Sequence, residues 1–392
     1  HWLFHVLLLL VLFVLCVMIH GDLYRRRPAL SRLTGFYLAI AGGGFLGGAA
    51  ITLAAPLVFP GIYEYPLMLG MLTIFFGWKY RKFASLSWSA KSVAVMISRI
   101  GTAGAIYLVL ILLSGVNFYG DKQASHRNYY GVSRIYDFPA DKDAPAGVRV
   151  LIHGSTMHGL QFRDPAREKM TTMYYHVKGG LGDVFAALPP PRRIAAVGLG
   201  AGTVGGLTRP GDVLDFYEID PDMEGLARRW FTFLKNTPAA LRVIVGDGRL
   251  NLRQTKDRYD LVFVDAFSGD GIPTHLITRE AIEIYRQRLR PHGLVVLHLT
   301  NRYYDLRPVV KAILAELHLA GAMKLSTLRS SDTYMPIATL YLVVAPDAGD
   351  LKPFLAQGWT GLGEKDGLPP GTAWTDDYIN ILAPAAAKFL AK

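Results

Sequence analysis

Cysteine occurs once, as Cys16, inside an apolar run. A single thiol builds neither an internal disulfide framework nor a cysteine-based metal site. The eleven histidines are scattered and show no HExxH or similar spacing, so no metal centre is expected. No internal repeat is visible. Acidic residues are scarce at the start of the chain. Residues 1–116 hold two acidic and nine basic residues, a net +7, while residues 117–392 hold 29 and 33, a net +4. The basic excess therefore belongs mainly to the first third. A basic patch can serve nucleic acid, but cationic loops beside membrane helices are the commoner cause. Nucleic acid is not expected as a partner.

Long apolar runs fill that first third. Residues 2–19 carry only His5 as a polar residue, and further runs cover about 34–58, 62–78 and 93–114. A helix needs about 20 apolar residues to cross the hydrocarbon, so residues 1–116 read as a transmembrane region of about four helices. The third is short enough to be re-entrant. The first lacks the basic leader and small-residue cleavage site of a signal peptide. Gly42, Gly43, Gly44, Gly47 and Gly48 would let helices pack closely within one bundle, and Arg99 sits near a helix end, where it can snorkel. The expected location is a bacterial inner membrane, with the lipid bilayer as partner.

Loop charge then raises a conflict. Arg25, Arg26, Arg27 and Arg32 lie in one loop, and Lys79, Arg81, Lys82 and Lys91 in another. The positive-inside rule places both in the cytoplasm, and strict alternation leaves everything after the fourth helix outside. Supply of a nucleotide cofactor favours the opposite side.

From about Asn117 the composition becomes globular. A small β-rich subdomain is expected over 117–190, with "ALPPPRR" as a linker, and a Rossmann-like domain over 191–392. There the short runs "RIAAVGLG", "VLDFYEID", "LRVIVGD", "YDLVFVD" and "GLVVLHLT" alternate with helical stretches such as "MEGLARRWFTFL" and "TREAIEIYRQRL". Such alternation predicts a parallel sheet with helices on both faces. "ATLYLVVA" (338–345) reads as a late antiparallel edge strand.

In doubly wound sheets ligands bind beyond the carboxyl ends of the strands. The first run ends in "GLGAGT", with Gly198, Gly200 and Gly202; the next ends in Glu218, then Asp247 and Asp265 close the following two. Glycines let a ligand lie against the backbone near a helix start. A carboxylate at Glu218 can accept both ribose hydroxyls. Asp247 can accept from an adenine amino group, with room left by Gly248. Together these predict an adenosine site. The NAD loop is usually GxGxxG; here the third glycine comes one residue early, and the pattern is that of a class I S-adenosylmethionine-type fold.

With "VGLGAGT", "FYEID", "VGDG" and "VDAFSGD" in this order, the domain resembles the spermidine synthase (polyamine aminopropyltransferase) family over roughly 125–320. "HGSTMHGLQ" and "YYH" resemble its bacterial membrane-attached subgroup. The resemblance implies transfer of an aminopropyl group from decarboxylated S-adenosylmethionine, as co-substrate, to a polyamine such as putrescine or another small amine. It implies that Glu218 holds the ribose, that Asp247 and Gly248 hold the adenine, and that Asp265 is the catalytic acid residue. Tyr175 and His176 fall where the family has a Tyr-Gln pair, and His158 or Gln161 where it has an upstream glutamine. Tyr175 joins Asp265 as a catalytic candidate. His158, Gln161, Tyr174, His176, Ser268 and Asp270 form the candidate substrate-binding set.

Two positions depart from the family. Ala201 stands where it has an acid in the glycine loop, and Ser268 where it has a second aspartate. Ordinary S-adenosylmethionine thus stays open as donor, and two alternatives stand beside the aminopropyltransferase: a methyltransferase, and a non-catalytic subunit of a membrane assembly. Homo-oligomers and membrane-complex partners are also open. Asp376 and Asp377 in "WTDDYIN" are expected to cap a final helix.

Overall fold

The computed structural model describes residues 2–79, 120–267, 271, 273–301, 303–328, 334–335, 337–363 and 367–390. The chain groups into two compact units. One holds the N-terminal helices together with Ser125–Val132, and the other holds Tyr119–Ala124 and Ser133–Lys392.

In the first unit, α1 (Trp2–Arg25) and α2 (Leu33–Ala49) are followed by a π-helical turn (Ala50–Ala54), α3 (Ala55–Val58) and α4 (Glu64–Lys79). Leu15, Leu69 and Phe76 form the buried contact between α1 and α4. Among the described residues, one continuous helical stretch, Leu30–Val58, is long and apolar enough to cross a membrane. The expected fourth span lies outside the described residues, and α4 has 16 residues, about 24 Å at 1.5 Å per residue. A side chain at Gly42, Gly43, Gly44, Gly47 or Gly48 would meet nothing within 4 Å. They pack against no other described part of the chain.

A four-stranded sheet in the order β1-β2-β3-β4 comes next in the chain, made by β1 (Asp121–Asn128), β2 (Gly131–Phe138), β3 (Val148–His153) and β4 (Thr156–Phe162), with β2, β3 and β4 pairing antiparallel. Its buried face carries Tyr136, Val148, Val150, Ile152, Leu160 and Phe162. A Rossmann-like α/β domain with a mixed eight-stranded sheet follows. Its strands are β5 (Arg193–Val197), β6 (Val213–Glu218), β7 (Ala240–Val245), β8 (Tyr259–Val264), β9 (Leu289–His298), β10 (Ala320–Ser326), β11 (Thr339–Ala345) and β12 (Thr360–Gly361). The order is β12-β10-β11-β9-β8-β5-β6-β7. β5 through β9 run parallel. Helices α5 (Gly180–Ala187), α6 (Met223–Trp230), α7 (Phe233–Asn236), α8 (Gly248–Gln254), α9 (Arg279–Gln287) and α10 (Arg307–Glu316) pack beside it. Two buried apolar clusters, one built around Phe216 and Phe263 and one around Tyr259 and Tyr285, form the core.

Three expectations are corrected here. First, β11 is antiparallel as predicted but is not an edge. It lies between β9 and β10, and its apolar residues are buried almost throughout. Second, the "ALPPPRR" stretch is pinned rather than a free linker. The Arg192 guanidinium is 1% exposed, lies 2.6 Å from Asp212 and donates to Phe185 O at 2.8 Å. Burial raises the Asp212 pKa, yet the hydrogen bonds from Arg192 outweigh it and hold the carboxyl below its usual range. Third, Asp376 caps no helix. It pairs with Arg249 at 2.6 Å and accepts from Thr278 Oγ1 at 2.9 Å. The last helix, Leu382–Leu390, begins after Asn380, whose Oδ1 accepts from Leu382 N.

Removing one partner of a buried ion pair leaves an uncompensated charge. Asp212→Ala is therefore expected to lower unfolding stability by about 3–5 kcal/mol, read by denaturant titration. Arg242, half exposed beside Asp215 and Asp257, serves as the control: Arg242→Ala is expected to change stability less than Asp212→Ala does.

Candidate active site

Strand order reverses at β5, which lies between β8 and β6. This topological switch point opens a crevice beyond the carboxyl ends of β5 and β8. Val197 of β5 pairs with Val264 of β8, and Asp265 N donates to Val197 O at 2.9 Å. The glycine loop and Asp265 therefore leave the sheet side by side.

The loop's glycines lie close against neighbouring segments of the chain. Gly198, Gly200 and Gly202 have φ of +99°, +52° and +80°. A Cβ at Gly198 would lie 2.4 Å from Asp265 O, at Gly200 2.7 Å from His158 O, and at Gly202 2.5 Å from Leu234 Cδ2. At Gly248 it would lie 2.6 Å from Val197 Cγ1 of β5. The loop leads into a five-residue 3₁₀ turn, Thr203–Leu207, rather than a long helix. Ala201 is buried and touches Gly159 of β4, where a Cβ would come within 2.3 Å of the alanine methyl.

Glu218 is 8% exposed. Its Oε2 accepts from Leu199 N at 2.8 Å and its Oε1 from Asp220 N at 2.9 Å. Burial raises its pKa, against those backbone hydrogen bonds. A carboxylate offers about four lone-pair sites, so two bonds leave acceptor capacity. Asp247 caps α8 by accepting from Leu250 N at 2.8 Å, and its other oxygen lies 3.0 Å from His275 Nε2. Glu218 pairs with Val245 across β6 and β7, which sets Glu218 and Asp247 at adjacent strand ends.

A cavity of about 200 Å³ lies at Asp265, lined by Thr156, Met157, His158, Tyr174, Tyr175, Asp265, Phe267, His298 and Thr300. The Asp265 side chain is 6% exposed. Tyr175 Oη donates to its Oδ2 at 2.6 Å, and its Oδ1 lies 2.7 Å from His298 Nδ1. Burial first, and the Asp265 charge second, push the Tyr175 phenol well above its ordinary value. Tyr175 thus stays a donor and does not act as a base. Tyr174 and Tyr175 end a short turn that begins at Met173, whose φ is +52°. That left-handed conformation costs about 1–3 kcal/mol in a non-glycine residue and persists where packing over-determines it; Met173 is fully buried.

The structure gathers Asp265, Tyr174, Tyr175 and His158 around one cavity. It sets Gln161 and His176 apart from the lining. Gln161 is buried, and its amide donates to Glu168 O and Thr232 Oγ1 at 2.8 Å each. It ties β4 to the Trp230–Phe233 turn, which corrects its expected substrate role. His176 is buried, and its Nδ1 accepts from Lys178 N at 3.2 Å. Ser268 and Asp270 lie outside the described residues. Among the described residues, no group of three or more His, Cys, Asp or Glu is placed to hold a metal ion. The reading from sequence missed His298 and Thr300. Their signal is the one used for the acids: a polar residue closing an apolar strand, here "GLVVLHLT".

No family model matches the chain. Its curated relatives include the polyamine aminopropyltransferase of Vibrio vulnificus, 31% identical over 160 residues, which are 39% of this chain and 52% of that protein. The polyamine aminopropyltransferase of Clostridium beijerinckii is 28% identical over 189 residues, 46% of this chain and 66% of that one. An eEF1A lysine and N-terminal methyltransferase of Xenopus laevis is 26% identical over 136 residues, 31% of this chain and 19% of that one. Among solved structures, a probable spermidine synthase of Corynebacterium glutamicum aligns at 16% identity with a TM-score of 0.46, covering 67% of this chain and all of the other. The chain is thus similar to polyamine aminopropyltransferases, the resemblance its motifs carry. It spans about half the length of the Vibrio relative.

Gly198→Ala forces a side chain onto Asp265 O in a backbone region that favours glycine. The variant is expected to melt several degrees lower and to bind adenosyl ligands more weakly, read by thermal unfolding with and without 5′-methylthioadenosine. A melting temperature and a ligand-induced shift equal to those of the unaltered protein would refute the stated role of Gly198.

Proposed function

We propose that this chain is a membrane-anchored aminopropyltransferase that moves an aminopropyl group from decarboxylated S-adenosylmethionine to an amine such as putrescine. The observation that carries this reading is Asp265 at the switch point, fixed by two donors and facing a cavity beside the glycine loop. Glu218 and Asp247 on the neighbouring strand ends are the proposed ribose and adenine partners, and the curated relatives add independent support.

The amine nitrogen attacks the carbon beside the sulfonium. A carbon–nitrogen bond forms, the carbon–sulfur bond breaks, and neutral 5′-methylthioadenosine leaves with the bonding pair. The attacking amine must be neutral, whereas a lysine-like amine has a pKa near about 10.4. Asp265 orients the amine and accepts its proton. Each Asp265 oxygen keeps a lone pair beyond the bonds from Tyr175 and His298, so the carboxylate can hold the amine without releasing its supports. Tyr174 and Phe267 offer ring faces to a cation. Positioning supplies most of the rate, and the leaving thioether needs no acid.

Ala201 favours a second reading. No acid stands in the glycine loop to receive the donor's amino group, which leaves ordinary S-adenosylmethionine and methyl transfer as the competitor. Membrane anchoring is supported by the Leu30–Val58 helix and by the basic loops around it. We place the catalytic unit on the cytoplasmic side, where the donor is made, against the count of loop charges. Protease accessibility in oriented vesicles tests that assignment.

The deciding experiment incubates the full chain with each donor and a panel of mono- and diamines, with mass detection. Release of 5′-methylthioadenosine is expected from decarboxylated donor, and Asp265→Asn is expected to slow it about 10²–10⁴-fold. S-adenosylhomocysteine from ordinary donor would instead establish methyl transfer. Turnover of neither donor would leave a non-catalytic subunit.

A further inference from the structure

The transfer described above uses Asp265 and leaves one buried titratable neighbour without a role. His298 is the last residue of β9, and its side chain is 3% exposed. Both ring nitrogens are engaged. Nδ1 lies 2.7 Å from Asp265 Oδ1, and Nε2 lies 2.7 Å from Thr300 Oγ1.

A third bond decides which nitrogen carries the proton. Leu340 N donates to Thr300 Oγ1 at 2.8 Å. The hydroxyl then has one proton of its own to place, and His298 Nε2 lies at hydrogen-bonding distance to receive it. Nδ1 consequently bears the ring proton and donates it to Asp265. The other tautomer would aim a nitrogen lone pair at an ionised carboxylate oxygen and leave the threonine proton unused. Three donors therefore form a chain that ends on Asp265 Oδ1, Leu340 to Thr300, Thr300 to His298 and His298 to Asp265, while Tyr175 donates to Oδ2. Chains of this kind polarise one another.

The imidazole is also held in plane. The rings of Tyr341, Phe267 and Tyr174 lie 4.7, 5.0 and 5.1 Å from its centroid. Tyr341 is its direct cross-strand partner on β11 and donates to Tyr174 O at 2.9 Å. A histidine that merely satisfied the core would need partners but not this one, since Asp265, His298 and Thr300 all line the same cavity.

We propose that His298, fixed by Thr300 as the Nδ1–H tautomer, is the positioning residue that orients the Asp265 carboxylate toward the acceptor amine. The assignment deepens, and rests on, the reading of Asp265 as the proton acceptor. The titratable groups facing His298 are Asp265 from β8, Tyr174 and Tyr175 from the turn after β4, and Tyr341 from β11.

Two measurements test the assignment. The first is ¹⁵N NMR of histidine-labelled full chain, with the His298 signals identified by their loss in His298→Gln. It is expected to show Nδ1 protonated and Nε2 as acceptor, and Thr300→Val should mix the tautomers. An Nε2–H ring in the unaltered protein overturns the proposal, whatever the chain catalyses. The second is the rate profile against pH. His298→Ala is expected to lower kcat about 10–100-fold, a fraction of what a proton acceptor contributes, with the donor KM little changed. His298→Gln, which can still donate to Asp265, should restore most of kcat while changing the acid limb of the profile. A His298→Ala enzyme with the original kcat and pH profile also overturns the proposal. A parent chain that turns over neither donor would count against the proposed function alone, because the tautomer measurement stands without turnover.

Discussion

A carboxylate at the end of β8 is useful only if its direction is fixed. Asp265 reaches that state through contacts from three sides: the β5 backbone beneath it, the Tyr175 phenol on one oxygen and the His298 imidazole on the other. Burial strengthens each of these bonds, because few waters compete for the charge. The same burial makes a missing donor costly. Much of the surrounding architecture follows from this demand, including the strained turn at Met173, the tyrosine pair behind it and the aromatic rings that confine the imidazole.

The glycine loop shows how closely the chain is fitted to itself. Each of its glycines faces a carbonyl or side chain of a neighbouring segment. Gly200 lies against His158 O and Ala201 against Gly159, so β4 and the loop meet without intervening side chains. The loop is thus held flush with its own scaffold.

Much of this was legible from residue pattern alone. The parallel strands and the acids at their ends follow from apolar runs closed by polar residues, whereas Tyr175 was singled out only through the family resemblance. β10 was not legible, because "AGAMKLS" has little apolar periodicity; it is a strand only because β11 and β12 pair with it. The interior position of β11 was hidden for the same reason. His298 closes its apolar run as the acids close theirs, but its partners depend on cross-strand register, which no local spacing reports. Gln161 erred in the other direction: a polar residue near the right motif whose amide is consumed by Glu168 and Thr232. The meaning of the glycines needed the neighbours that fill their missing side chains.

The bond from Leu340 to Thr300 also bears on how the protein is made. Synthesis delivers the glycine loop, Asp265 and His298 first, and β11 only later. Until the segment around Leu340 is added and paired with β9, the Thr300 hydroxyl lacks the donor that orients it. A nascent chain would hold the crevice at the ends of β5 and β8 before its buried carboxylate was aligned, and a product truncated before β11 would lack that alignment altogether.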